Sequence, residues 1–187
     1  MEGIGREELA RAVKFAAQGD AQAWRLVVEE YSPRVFALLR ARCRDADLAE
    51  EITQAVFCTV AERLGAYFES GHFESWVFRI AMNRLRDELR RRKRQAVSVE
   101  HEALDSNPSR AGKSGYQPPD TDARRALETA MESLSEADRL LIDLRYTGAM
   151  AFQRISDLLG EPVGTLLARH HRAVAKLREF LAPGGQE

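Results

Sequence analysis

The sequence predicts an all-α protein of two small helical domains joined by a flexible linker, with a helix-turn-helix in the second domain. Apolar residues recur at helical spacing in nearly every segment, and no convincing run alternates as a β-strand does. Residues 95–121 instead collect proline, glycine, serine, aspartate and asparagine, which is typical of a linker. The predicted domains are therefore residues 1–94 and 122–187.

The first domain is predicted to contain five helices. Their expected ranges are 7–18, 20–30, 33–44, 45–64 and 73–94. Gly19 ends the first helix and Asp20 caps the second. Pro33 suits the first turn of the third helix, where a missing N–H leaves no hydrogen bond unmade. The longest helix begins after a loop over residues 65–71, and it is apolar at its start and basic at its end.

The second domain is predicted to contain helices over residues 122–133, 135–146, 151–159 and 163–181. Ser135 with Asp138 resembles a capping box, and Gly160 fits the position just after a helix. The last two helices are separated only by a tight turn at Glu161 and Pro162. Seven apolar side chains of this pair are expected to face inward: Ile155, Leu158, Leu159, Val163, Leu166, Val174 and Leu177. This spacing favours a helix-turn-helix, although an ordinary helical hairpin with a solvated basic face gives the same pattern.

Composition excludes several classes of protein. The 187 residues are 44% hydrophobic and 30% charged, as in globular proteins, and no apolar run is long enough to span a bilayer. The start of the chain does not resemble a secretory signal. Cys43 and Cys58 lack CxxC spacing, and the four histidines are not spaced with them as zinc ligands. We expect a cytoplasmic protein with no membrane insertion, no metal and no cofactor. We also expect no enzymatic activity, since no nucleophile–base constellation or phosphate loop is visible.

The charge is concentrated rather than evenly spread. The formal net charge is −1, yet residues 79–94 carry eight basic and two acidic side chains, including an unbroken basic run over 90–94. Such a run attracts nucleic-acid phosphates by releasing counterions. A solvated helix end is the alternative, because cations also stabilise the C-terminal end of the helix dipole.

Five motifs in order resemble the extracytoplasmic-function (ECF) sigma factors of bacterial RNA polymerase. They are a GDxxAW segment at 19–24, a YxPRVF segment at 31–36, an AExxxQxVF helix at 49–57, an FxxWVxxIAxN helix at 73–83 followed by the basic run, and a C-terminal set at 134–146 and 162–173. The resemblance covers residues from about 10 to 181. It implies a sigma subunit that binds core polymerase, recognises the −35 and −10 promoter elements and promotes DNA melting.

The resemblance also assigns roles to the domains. It implies that the first domain binds the coiled coil of one large polymerase subunit and the −10 element, and that the second binds the −35 element and the flap of the other large subunit. An anti-sigma protein that masks the polymerase-binding helix is a further expected partner. The residues that the resemblance assigns to core-polymerase binding are Asp47, Glu50, Glu51, Gln54 and Phe57. Glu51, Gln54 and Phe57 lie three apart, near one helix stripe, although Phe57 fits a core position equally well.

The residues expected to contact or melt the −10 DNA are Phe73, Trp76, Arg79, Asn83, Arg84, Arg90 and Arg91. Melting captures an unstacked base, and aromatic faces and cations offset its cost. Phe73 and Trp76 are also candidates for the core, and for Trp76 the core is favoured. Asn83 and Arg79 are favoured as DNA-facing.

The residues expected to contact the −35 DNA are Thr165, Leu167, Arg169, His170, His171, Arg172 and Lys176. The family often has a basic residue and a serine where this chain has Leu167 and Ala168. These two side chains can contact a thymine methyl group but cannot donate to guanine. His170 and His171 are expected to replace part of the lost contacts.

Two other classes of protein fit parts of the pattern. A stand-alone helix-turn-helix regulator would bind duplex DNA tightly without polymerase, usually as a dimer on paired half-sites. A protein-interaction module would use the basic run to bind an acidic partner and would show no preference for DNA.

Overall fold

The computed structural model of the chain describes residues 5–68, 71–100 and 121–182. These residues form two compact units built from eight α-helices and one π-helical turn. The prediction of two helical domains with a helix-turn-helix in the second is therefore confirmed. Most of the predicted linker, residues 101–120, lies outside the described residues.

The first unit consists of α1 (Arg6–Ala17), α2 (Ala21–Cys43), α3 (Ala46–Leu64) and α4 (Phe73–Glu100). Its capping follows the sequence closely. The Oδ1 atom of Asp20 accepts from the backbone N–H groups of Gln22 at 2.8 Å and Ala23 at 2.9 Å. Asp45 caps α3 by accepting from the N–H of Leu48 at 3.0 Å. These contacts satisfy N–H groups that a helix cannot pair internally.

The predicted helix break before Pro33 is wrong, because α2 runs without interruption from Ala21 to Cys43 with Pro33 inside it. A proline in a helix interior costs about 3 kcal/mol. On the same helix, Val27, Tyr31 and Val35 are buried on both sides of the proline. Burying each such side chain contributes roughly 1.5–3 kcal/mol, so the continuous buried face outweighs the proline.

The helix α4 continues past Arg94, where we expected it to end, as far as Glu100. Among its side chains up to Gln95, the last in the core is Leu85. The change in composition at Gln95 therefore does not mark the end of the helical backbone.

The second unit consists of α5 (Thr121–Glu132), α6 (Glu136–Ile142), a π-helical turn (Asp143–Thr147), α7 (Phe152–Leu159) and α8 (Val163–Leu181). One core cluster is formed by Ala130, Leu134, Ile142, Ala173 and Leu177. The seven predicted inward positions of α7 and α8 are all buried or half-buried. The π-helical turn was not predicted: the helix expected to reach Tyr146 widens after Ile142, and the N–H of Gly148 bonds the carbonyl of Asp143 at 2.8 Å.

Two findings on the described residues concern membrane proteins and metalloproteins, the classes that the sequence composition argues against. No helix in these ranges is both long and apolar enough to cross a bilayer. No group of three or more histidine, cysteine, aspartate or glutamate side chains there is arranged to hold a metal ion.

Candidate DNA and protein interfaces

The outer side of α3 carries a polar face made of Asp47, Glu50, Glu51 and Gln54, all of them exposed. Gln54 donates to Glu50 through Nε2 at 3.4 Å. A shallow groove runs beside this face between α2 and α3, and its lining residues are Val28, Glu29, Ser32, Pro33, Phe36, Glu50, Thr53 and Gln54. The surface thus combines carboxylates with an apolar floor, which suits a helix from a partner protein that carries basic and apolar side chains.

Phe57 does not belong to this exposed face. Its side chain is 8% exposed and its ring meets the edge of Trp24, with ring centroids 6.2 Å apart. Three residues turn a helix by about 300°, so a series spaced by three drifts about 60° at each step. The drift carries the series from exposed Glu51 to buried Phe57. Of the two interpretations that the sequence left open, the structure adopts the core position.

An exposed stripe follows the outer side of α4. We call Arg79, Asn83, Arg86, Arg90 and Lys93 the outer stripe, and all five are exposed. Their alternating spacing of four and three residues keeps them on one side of the helix, over about 21 Å of its length. Within the stripe, Arg86 donates to Asn83 Oδ1 at 3.1 Å. Arg86 and Lys93 lie in the basic end of the helix, residues 84–94, that the sequence expects to follow phosphates. Neither was singled out as an individual contact, although helical spacing from Arg79 identifies both.

Three other arginines of α4, Arg84, Arg91 and Arg92, make contacts on the opposite side. Arg91 donates to both carboxylate oxygens of Glu88 at 2.7 Å. Arg92 bonds Glu88 and Asp45, each at 3.0 Å. The hydrogen bond from Arg91, and then that from Arg92, lower the pKa of Glu88 below its ordinary value. Arg84 bonds the Thr59 hydroxyl of α3.

The basic residues of α4 therefore fall into two groups: Arg84, Arg91 and Arg92 bond side chains of their own unit, and the outer stripe lies on the other side of the helix. The difference is one of direction rather than burial, because the side chains of Arg91 and Arg92 are still 53% and 45% exposed. Residue type does not distinguish Arg84 and Arg91 from Arg90, and all three were assigned to DNA. In this structure Arg84 and Arg91 have protein partners, and their DNA contact stays a prediction.

Aromatic side chains gather where α4 begins. The rings of Tyr67 and Trp76 stack at 4.8 Å with an interplanar angle of 25°, and Phe73 lies within 6 Å of both. Phe73 is only 3% exposed, so the predicted stacking of its ring on a DNA base is not possible in this conformation. Trp76 is half-buried. Phe68, in the preceding loop, is 85% exposed and was not singled out by the sequence.

The predicted contact residues of the helix-turn-helix also fall into two groups, one exposed to solvent and one bonded to residues of the same unit. Thr165, Leu167, His171 and Arg172 are exposed on α8. The turn before α8 is set by Gly160, which has φ +72°, a conformation that glycine adopts without steric cost. Its N–H bonds the carbonyl of Ser156 at 2.8 Å, and the Ser156 hydroxyl donates to the Glu161 carbonyl at 2.6 Å.

Three other predicted DNA contacts on α8 instead bind residues of their own unit. Arg169 bonds carboxylates of Glu161 and Asp138. His170 lies 3.1 Å from the Tyr146 hydroxyl through Nε2, and Lys176 bonds the Ser133 carbonyl. Burial, and then the charges of Arg145 and His171, lower the pKa of His170 below its ordinary value. A lowered pKa disfavours the charged imidazolium that would attract a phosphate.

Comparison with known proteins agrees with this architecture. The Sigma-70 region 2 family model matches residues 27–95, and the Sigma-70 region 4 model matches residues 130–179. The RNA polymerase sigma factor CarQ of Myxococcus xanthus is 31% identical over 165 residues, covering 87% of this chain and 91% of CarQ. The ECF sigma factor SigE of Mycolicibacterium smegmatis is 30% identical over 176 residues, covering 92% of this chain and 68% of SigE.

The chain belongs to the ECF sigma factors. It is a non-catalytic subunit of RNA polymerase that binds the core enzyme and DNA, and it initiates transcription through promoter recognition. The rival interpretations, a stand-alone regulator and a module that binds an acidic partner, are thereby excluded.

Solved structures of sigma factors share the fold. CnrH, in complex with the cytosolic domain of CnrY, superposes with a TM-score of 0.64 at 20% identity, covering 92% of this chain and 96% of CnrH. RpoE of Bartonella quintana, in complex with the anti-sigma factor NepR, also superposes at 0.64 with 18% identity, covering 88% and 99% of the two chains. At these identities the likeness establishes the fold alone.

Proposed function

We propose that the two units of this sigma factor divide the work of promoter recognition. The first unit binds core polymerase through the polar face of α3 and binds −10 DNA through the outer stripe of α4. The second unit binds −35 DNA through the exposed side of α8. The observation that carries this proposal is the outer stripe, because four cations and one amide aligned over about 21 Å match the periodic charge of a DNA backbone.

The polar face of α3 and the outer stripe of α4 belong to different helices, so one unit has separate surfaces for a protein and for DNA. The face of α3 is acidic, which disfavours contact with phosphates and favours a basic protein surface. Leu48, Ile52 and Val56 anchor α3 in the core behind this face. A partner that binds there meets a rigid helix and loses little free energy in ordering it.

On α8, the exposed residues Thr165, Leu167, His171 and Arg172 are the proposed −35 contacts. Arg172 supplies a charged donor, Thr165 a hydroxyl, and Leu167 an apolar surface for a thymine methyl group. Arg169, His170 and Lys176 bind their own unit in this structure, so their sequence-based assignment to DNA has less support than that of the other four.

An anti-sigma partner also forms part of the proposal. The CnrH and RpoE structures hold CnrY and NepR respectively. In this chain the groove beside Glu50 and Gln54 offers an apolar floor with carboxylates at its edge. A protein segment seated there would exclude core polymerase from α3. Both core polymerase and such a regulator act on this chain in the cytoplasm, which is the proposed location.

Reconstitution with purified core polymerase tests the division of surfaces. The double variant Glu50→Lys/Glu51→Lys should lose co-sedimentation with core polymerase, because it reverses two charges on the polar face. Glu7→Lys/Glu8→Lys is the matched control, since both residues are exposed and lie on α1, away from that face. Equal loss in the control would refute the assignment of the face.

Promoter opening tests the outer stripe. Arg79→Ala and Asn83→Ala should impair opening, followed by permanganate reactivity of unpaired thymines, more than they impair association with core polymerase. Arg63→Ala provides a control, because Arg63 is an exposed cation at the end of α3. Parallel loss of opening and core association in the stripe variants would contradict a DNA role.

A further inference from the structure

The arginine in the middle of α8 is at the centre of a hydrogen-bonded network that joins three segments of the second unit. Arg169 Nε donates to Asp138 Oδ1 at 3.0 Å, and its Nη1 donates to the two carboxylate oxygens of Glu161 at 2.8 and 2.6 Å. Asp138 accepts from the hydroxyl of Ser135, the residue that caps α6, at 2.7 Å. We call Ser135, Asp138, Glu161 and Arg169 the Arg169 network.

The position of the guanidinium argues against direct contact with DNA. The side chain of Arg169 is 15% exposed, and its remaining terminal nitrogen, Nη2, is buried. A phosphate would have to displace two carboxylates to reach it. Charge-assisted bonds of this kind are roughly twice as strong as neutral ones. Because Nε bonds Asp138 and Nη1 bonds Glu161, the two carboxylates together fix the orientation of the guanidinium.

The Arg169 network joins α8 to the turn before it and to α6, and these two segments determine the orientation of α8 in the second unit. Glu161 lies in the turn between α7 and α8, and Asp138 lies in the first turn of α6. The backbone carbonyl of Glu161 is also held by the Ser156 hydroxyl at the end of α7. Arg169 therefore ties the middle of α8 both to its own preceding turn and to a helix 31 residues earlier in the chain.

We propose that Arg169 is a positioning residue for −35 recognition: it holds α8 at a fixed angle through Glu161 and Asp138, and it does not itself contact DNA. This inference rests on the proposed role of α8 in binding −35 DNA. Orientation is important in this chain because the proposed contacts on α8 are few, namely Thr165, Leu167, His171 and Arg172, and Gly164 and Ala168, exposed beside them, offer no side-chain donor. A few contacts must then be placed accurately to distinguish one base from another.

The two roles predict opposite effects of removing a carboxylate. If Glu161 withholds Arg169 from DNA, then Glu161→Gln frees a cation and strengthens binding to any duplex. If Arg169 positions α8, the same substitution loosens the helix and weakens only the recognition of sequence. A loss of folded protein would instead weaken binding to all DNA equally, so the ratio of affinities separates positioning from simple stability.

The experiment uses the full chain assembled with core polymerase. A pool of randomised duplexes is first selected with the wild-type holoenzyme. The recovered duplex and a copy with its −35 element shuffled are the two probes. Glu161→Gln and Arg169→Gln should each lower the affinity ratio between the probes about tenfold, within the range for residues that share one network. The double variant should lose no more than either single variant.

Another arginine of α8 provides the control variant. Arg178→Gln, which removes an exposed arginine elsewhere on α8, should leave the ratio unchanged. All variants are compared below their thermal transitions, and Glu161→Gln provides the test if Arg169→Gln fails to fold. Tighter binding of both probes by Glu161→Gln, or an unchanged ratio, would overturn the positioning role. If the wild-type holoenzyme does not distinguish the probes, the −35 assignment of α8 fails, and the positioning role fails with it.

Discussion

The division of basic residues on α4 predicts that two pairs of arginines with equal charge have unequal effects on DNA binding. Arg86 and Arg90 belong to the outer stripe, whereas Arg91 and Arg92 bond Glu88 and Asp45. Replacing either pair by alanine removes two positive charges within the same two turns of helix. Any difference between the double variants therefore reports the direction in which the side chains point.

The expected salt dependence of DNA binding follows from the counterions that are released when cations neutralise phosphates. If each of the four stripe cations neutralises one duplex phosphate, the stripe contributes about −3.6 to the slope of log K against log salt. Raising the salt from about 50 to about 200 mM then weakens binding roughly 150-fold through the stripe alone. Without Arg86 and Arg90 the contribution halves, and the same change in salt weakens binding only roughly 12-fold.

Fluorescence anisotropy of holoenzyme on a labelled duplex, selected from a randomised pool by the wild-type holoenzyme, measures these slopes. Arg86→Ala/Arg90→Ala should flatten the slope by about 1.8. Arg91→Ala/Arg92→Ala should leave it nearly unchanged while lowering the thermal stability of the first unit, because α4 loses its contact with Asp45. The assignment of sides on α4 is refuted if the two double variants flatten the slope equally.

Three further predictions concern stability. Because the pKa of His170 is lowered in the folded state, the unfolded chain binds more protons below about pH 6.5, and the second unit should lose stability as pH falls through that range. Urea unfolding followed by circular dichroism should show that this stability depends less on pH in His170→Asn. An identical pH dependence in the variant would contradict the assignment to His170. Asp20→Ala should lower the free energy of unfolding of the first unit by about 1 kcal/mol through loss of the α2 cap. Tryptophan fluorescence measures this change, since Trp24 and Trp76 both lie in that unit. The control Asp20→Asn should behave nearly as the wild type. Gly160→Ala should destabilise the second unit by about 1–2 kcal/mol because φ is +72° there, whereas a thermal melt of Gly160→Asn should show a smaller loss, and equal losses would argue against backbone strain.

Local signals in the sequence predicted most of the fold. The caps at Asp20 and Ser135 and the helix end at Gly160 depend on residues within a few positions of each other, and each is found as expected. Pro33 was misjudged because its local cost was weighed without the buried face that continues past it. The continuity of α2 through Pro33 depends on packing between helices, and a local pattern contains no information on that packing.

The candidate interfaces were predicted less completely than the fold, for a related reason. Residue type alone marked the cations of α4 and α8 as DNA contacts. It could not show that Arg92 meets Asp45 across 47 residues, or that Arg169 meets Asp138 across 31. Such pairs depend on how helices pack, so an arginine within a basic segment can equally bond a carboxylate of its own unit.

Helix phase nevertheless separates the two kinds of arginine on α4. The buried positions Val77, Ala81 and Leu85 recur every four residues and define the inner side of the helix. At about 100° per residue, Arg86 and Arg90 fall on the far side, whereas Arg92 falls close to the inner line. Helix phase alone does not separate Arg169 from Arg172, because Arg169 lies at the edge between the buried and exposed sides of α8. The carboxylates of two other segments decide its direction, and this is why a role in positioning α8 could be inferred only from the structure.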